Sequence, residues 1–171
     1  IDPCVTFTGI FNVSPSSVVI TRFVSFPSCP FLPLIVTILW SLAVFAARNA
    51  IDGVVSNESH GEWPYESWGI NRQDDAEMTL EFGRPVDFDK IVLVTRADFP
   101  HDNWWVKATF TFSDGTSETV ELEKSVEPHI ISLERKGITW LTFGQLIKAD
   151  DPSPFPALTQ IEVYGREHED V

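Results

Sequence analysis

Two short stretches hold most of the residues able to bind or react. The first runs His60-Gly61-Glu62-Trp63-Pro64-Tyr65-Glu66-Ser67-Trp68-Gly69 and continues to Asn71 and Arg72. The second runs Arg96-Ala97-Asp98-Phe99-Pro100-His101-Asp102-Asn103-Trp104-Trp105. Flat aromatic rings beside Arg, Asp, Asn and His suit a sugar, which offers a face of C–H groups ringed by hydroxyls. Asp98, His101 and Asp102 are also acid–base types, and paired carboxylates are the tools of glycoside hydrolysis. The context for catalysis is thin. The chain has no nucleophile elbow, no phosphate-binding glycine loop and no zinc-type Cys–His spacing. A non-catalytic binding module is therefore expected, with His60, Trp63, Tyr65, Arg72, Arg96, Asp98, His101 and Trp104 as its ligand-binding residues.

Each of these residues also has a purely structural use. Trp68 is expected to pack in the core, and so is Trp140, which sits in an alternating stretch. Successive strand residues face opposite sides, so one of Trp104 and Trp105 must point inward. Trp105 opens an alternating run with Ala108 and Phe110 nearby, which leaves Trp104 as the outward platform. Arg96 and Asp98 form a structural ion pair as readily as a ligand contact, and His60 and His101 serve equally as backbone-bonded loop histidines. Pro64 stiffens the turn between Trp63 and Tyr65, so that at least one of those rings is displayed.

The elements that must carry these loops are strands. Glu77–Phe82 alternates with period two and stops at Gly83; Asp89–Thr95 reads as a more buried strand. Trp105–Phe112 alternates cleanly into Asp114-Gly115, a strong hairpin signal, and Thr116–Leu122 returns. His129–Leu133, Ile138–Phe143 and Thr159–Tyr164 supply three more, and Asp150–Pro156, with three prolines, reads as a rigid loop before the last. No amphipathic helix of ordinary length is visible. Short strands separated by turn signals describe an all-β sandwich or barrel.

The chain of 171 residues carries a net charge of −13. Asp2 and Arg22 are the only charges before residue 46 and cancel, so the whole excess lies beyond it. Such acidity repels phosphate backbones and anionic lipid, which excludes nucleic acid and disfavours membrane surfaces as partners. Cys4 and Cys29, the two cysteines, permit one disulfide but fix no compartment. Phe31–Ala47 is an uncharged run of 17 residues, broken by Pro33, marginal for a membrane span and long for a signal-peptide core. Residues 1–45 thus read as a leader, as extra strands using β-prone Val18–Val24, or as sequence foreign to the domain.

Ala47-Arg48-Asn49-Ala50-Ile51-Asp52-Gly53 opens the strand-rich segment and Ile161-Glu162-Val163-Tyr164-Gly165 closes it. This pair of bookends resembles the discoidin-like (coagulation-factor type C) sandwich, nearest to the family 32 type of carbohydrate-binding module, over roughly residues 46–168. The resemblance implies an antiparallel jelly-roll β-sandwich of the galactose-binding-like kind, with residues 169–171 as a tail. It implies glycan recognition by an accessory module of a larger extracellular or cell-surface protein, with a protein-interaction (adhesion) module on the same fold as the alternative. It also implies a structural calcium on Asp52 and Glu162, with Asn57 adding an oxygen; calcium takes six to eight oxygen ligands, and Gly53 allows the tight reversal that aims carbonyls inward. Val54 and Val55 stand where relatives often carry a further acid.

Overall fold

The computed structural model describes residues 43–55, 65–97 and 102–169. Two short 3-10 turns, Ala43–Phe45 and Ala47–Ile51, lead into seven strands. These are β1 (Trp68–Gly69), β2 (Met78–Thr95), β3 (Asp102–Asn103), β4 (Trp105–Phe112), β5 (Ser117–Glu121), β6 (His129–Lys148) and β7 (Phe155–Glu167). Six lie on one antiparallel path, β1-β7-β2-β6-β4-β5, and β3 pairs in parallel with the start of β7. The fold is all-β, an antiparallel sandwich.

Two long strands build both layers. The first part of β2, Met78–Glu81, pairs with Trp140–Phe143 of β6, which also pairs with β4. Beyond a register shift between Glu81 and Val86, β2 continues with β6 on one side and β7 on the other. The turn from one layer to the other uses Gly83 at φ 70°, a left-handed backbone that a side chain would strain. Period-two alternation then buries one side of each layer. Phe88 of the second layer meets Phe112 of the first at 5.7 Å between centroids, and Trp68 meets Trp105 at 6.2 Å. The core therefore lies between the layers, with Phe110, Phe143, Ile138 and Leu141 fully buried among these rings.

β7 closes the second layer against β2 at Gly165. A Cβ there would fall 2.1 Å from the Asp87 carbonyl oxygen, so only glycine lets the two backbones lie this close. The Asp114-Gly115 hairpin forms as expected: the Asp114 carboxylate accepts the Thr116 amide at 2.8 Å and its hydroxyl at 2.6 Å. Those bonds hold the Asp114 carboxyl below its ordinary value.

Three expectations need correction. The expected strands Glu77–Phe82, from Met78 on, and Asp89–Thr95 are parts of one strand, β2, and His129–Leu133 and Ile138–Phe143 are parts of another, β6, because each strand bends between layers without breaking. Trp140 is half-buried rather than core. The inward positions of β6 run Ile138, Leu141, Phe143, so a three-residue step shifts the alternation and turns Trp140 off the core face. The stretch Asp150–Pro156 ends not in loop but in strand, since β7 already begins at Phe155. Cys4, Cys29 and residues 1–42 lie outside the described residues.

Candidate functional site

One end of the sandwich is organised by Asn103, which is fully buried. Its amide nitrogen donates to the Ser153 carbonyl at 2.7 Å and the Ala149 carbonyl at 3.2 Å. Its amide oxygen accepts the Trp104 backbone N–H at 2.7 Å. One side chain thus ties the start of β4 to the loop between β6 and β7 and meets its own polar demand in doing so. The Trp104 carbonyl completes the tie by accepting the Ala149 amide at 2.9 Å.

This bracing decides what the neighbouring rings do. Trp105 is fully buried, edge-on to Phe143 at 5.9 Å, and Trp104 therefore turns to the half-exposed side. Lys124, just past β5, sits over the Trp104 ring at 5.1 Å and reaches Asp151 at 3.9 Å. Phe155 pairs with Asp102 in the short parallel ladder and remains 41% exposed although it is a large apolar ring. Arg72 lies over that ring at 4.9 Å. It occupies a tight turn in which Gln73 N–H bonds the Ile70 carbonyl at 3.0 Å, and both central residues are left-handed, Asn71 at φ 46° and Arg72 at φ 64°. That is the geometry of a type I′ turn, which ordinary side chains adopt at a cost.

The expected ligand-binding residues divide into three groups. Arg72 is exposed and Trp104 half-exposed at this end, and Tyr65 is half-buried in the segment leading to β1. Arg96 is only 2% exposed, lying within the loop end rather than on it, and its amide donates to the Ala157 carbonyl at 3.0 Å. His60, Trp63, Asp98 and His101 lie outside the described residues, as does Asn57. Phe155, Lys124 and Asn103 were not anticipated. Only Phe155 left a trace in the sequence: a large apolar side chain between Pro154 and Pro156 has little freedom to fold inward.

Of the expected calcium site, the turn that carries Asp52 touches the strand that carries Glu162. Gly53 N–H donates to the Gln160 side-chain oxygen at 3.2 Å, and Glu162 follows Gln160 by two residues on β7, hence on the same side. The Asp52 carboxylate accepts the Val54 amide at 2.8 Å, which shapes the turn. The Glu162 carboxylate accepts the Tyr164 hydroxyl, and Lys90 stands over the Tyr164 ring at 3.9 Å. The hydrogen bond to Glu162, then partial burial, then the carboxylate's charge push the Tyr164 hydroxyl up to about 12. Among the described residues, no group of three or more His, Cys, Asp or Glu gathers around a point suited to a metal.

The opposite end carries a different cluster. Asp87 Oδ1 accepts the Gly137 amide at 2.9 Å and faces His168 Nδ1 at 2.6 Å, while Arg166 lies 3.8 Å from Oδ2. Burial alone would raise the Asp87 carboxyl, yet the Gly137 amide, His168 and Arg166 together hold it below its ordinary value.

Comparison with known proteins gives the fold the same frame. The profile of a family described as a domain of unknown function (DUF7402) matches residues 42–151, more than half of the chain. No curated protein matches it. Among solved structures, the F5/8 type C domain of a Bacteroides fragilis protein aligns with TM-score 0.52 at 11% identity, covering 73% of this chain and 83% of that one. The family 32 carbohydrate-binding module of Clostridium perfringens (C. perfringens) NanJ, solved with galactose, aligns with TM-score 0.52 at 14% identity, covering 71% and 85%. A Streptococcus pneumoniae fucose-binding module aligns with TM-score 0.51 at 14% identity, covering 73% and 88%. At these identities the likeness establishes the discoidin-like sandwich itself. Among the described residues, no helix is long and apolar enough to cross a membrane.

Proposed function

Since the chain belongs to the family described as a domain of unknown function (DUF7402), we propose its role from the loop end itself: non-catalytic recognition of a glycan. The observation that carries this reading is the pair of rings, the half-exposed Trp104 and the exposed Phe155, set at one end of the sandwich by a buried Asn103. A fold gains little by leaving large apolar rings in water, whereas a sugar's C–H face covers such rings and its hydroxyls meet the surrounding polar groups. The neighbouring solved modules bind galactose and fucose on the same sandwich, which supports the reading.

In this mechanism Trp104 is the stacking platform and Phe155 extends it. Arg72 lends hydrogen-bond donors from one rim, and Asp98, His101, His60 and Trp63 belong to the loops that flank it in sequence. Calcium is part of the same proposal. Asp52 and Glu162 would hold it, with the Gln160 amide oxygen and loop carbonyls as further hard-oxygen donors of the type calcium takes. The ion would brace the loop after Asp52 and do no chemistry. Weak single-site affinity fits an accessory module of an extracellular protein, where neighbouring domains add avidity.

The test is a glycan array of the full 171-residue chain in calcium-containing buffer, repeated with Trp104→Ala. Binding to a coherent set of sugars, weakened about tenfold or more by the substitution while the fold persists, is the expected result. A blank array from a demonstrably folded sample sinks the glycan reading and favours a protein partner.

A further inference from the structure

Both displayed rings at the loop end carry a cation. Arg72 covers Phe155 at 4.9 Å and Lys124 covers Trp104 at 5.1 Å. In a chain of net charge −13 with only 12 Lys and Arg, two of those cations stand on the two rings of this end. Resting on the glycan reading above, we propose that the site selects acidic sugars, of the uronic or sialic type, whose carboxylate is gripped by Arg72 with Lys124 on the second side.

The geometry supports Arg72 as the selective group. Lys124 is already partly engaged, 3.9 Å from Asp151. Among the described residues Arg72 has no carboxylate in ion-pair contact, and its guanidinium stands over Phe155. Its guanidinium carbon stands 4.9 Å from the centre of the Phe155 ring, and the residue is exposed, so its N–H donors are open to a planar carboxylate. The backbone has been bent to put it there: Asn71 and Arg72 both take the left-handed conformation without being glycine. Strain of that kind persists where the surroundings hold it, and the contact with Phe155 is the restraint visible here. Asp74 and Asp75 follow on the same loop, both exposed. Solvent screens exposed charges beyond about 8 Å at physiological salt, so a direct bidentate contact outweighs them. Of the acidic groups a glycan carries, the carboxylate is planar like the fork; a sulfate also accepts two N–H bonds but is tetrahedral, so matched sulfated glycans are the discriminating comparison.

The experiment presents the full chain with matched glycans carrying a carboxylate, a sulfate, or neither, and measures affinity at two salt concentrations. Arg72→Gln and Lys136→Gln are measured beside it, the second removing the same charge at a distant exposed position paired only with Glu134. Carboxylated glycans should bind about tenfold more tightly than their neutral or esterified counterparts, and less so at high salt. Arg72→Gln should bring that ratio close to one, while Lys136→Gln leaves it unchanged. Equal binding of neutral and carboxylated glycans overturns this inference and leaves the glycan reading intact. Preference for sulfate alone overturns the carboxylate assignment. No binding of any glycan by a folded chain removes both.

Discussion

The two ends of this sandwich each centre on a buried or half-buried polar side chain, yet they do opposite things. At one end Asn103 is consumed by backbone partners, the carbonyls of Ala149 and Ser153 and the amide of Trp104. At the other, Asp87 is consumed by the Gly137 amide and the side chains of His168 and Arg166. The neutral amide fastens loops beside the half-exposed Trp104 and the exposed Phe155; the carboxylate fastens the end of β7 to the layer beside it, through charged side chains. A satisfied polar network marks a structural joint in either case. What distinguishes the candidate site is that its joint is made by a neutral amide beside two rings, Trp104 and Phe155, that each lie under a cation.

The comparison breaks most severely if the inner half of the loop end is removed. Trp105→Ala empties a fully buried indole site against Trp68 and Phe143 and should cost about 3–5 kcal/mol in denaturant unfolding. Asn103→Ala comes next, at roughly 2–4 kcal/mol, because two carbonyls and one amide lose their partner. It should also lose glycan binding while Trp104 is still present. Unchanged binding in folded Asn103→Ala would show that the platform does not depend on this tie.

The far end should respond to acid. The folded Asp87 carboxyl lies below its ordinary 3.8, so its contribution is complete above that value and disappears as pH falls through the folded value. Denaturant midpoints measured from pH 6 downward should therefore fall below about pH 4, and Asp87→Asn should flatten that limb. If the limb is the same in both proteins, the cluster around Asp87 does not govern acid stability.

The smallest effect lies on the outer face of β7. Tyr164, raised to about 12 from an ordinary 10.0, favours its neutral form in the folded protein. Its contribution is complete below 10.0 and lost as pH rises toward 12. The chain has two tyrosines, so Tyr164→Phe assigns the high-pH step in an ultraviolet titration without ambiguity. Saturating calcium on Glu162 would take up the carboxylate that holds the hydroxyl proton and bring the step back toward 10.0. A step indifferent to calcium argues that Glu162 does not bind it.

Much of the fold was legible because period-two burial is a local property. The alternation of Trp105–Phe112 and the Asp114-Gly115 turn predict β4 and its hairpin, and the same alternation separates Trp105 from Trp104. The bends of β2 and β6 were not legible, since a strand that crosses between layers and two strands joined by a turn share the same pattern. Trp140 was misplaced for that reason: one change of phase in β6 is invisible without its partners.

By itself the sequence determined the β class, the acid balance, the division between loops rich in aromatic and charged residues and strands that alternate, and the bookend motifs behind the discoidin-like resemblance. These follow from residue type and near-neighbour spacing. Only the tertiary structure decided that Asn103, Ala149 and Ser153 meet, that Arg72 rests on Phe155 and Lys124 on Trp104, and that Asp87 closes on His168. Asp87 and His168 stand 81 residues apart, and Arg72 and Phe155 are likewise distant in the chain. Contacts at such separation arise from how the layers stack and the strands align, which no local pattern encodes.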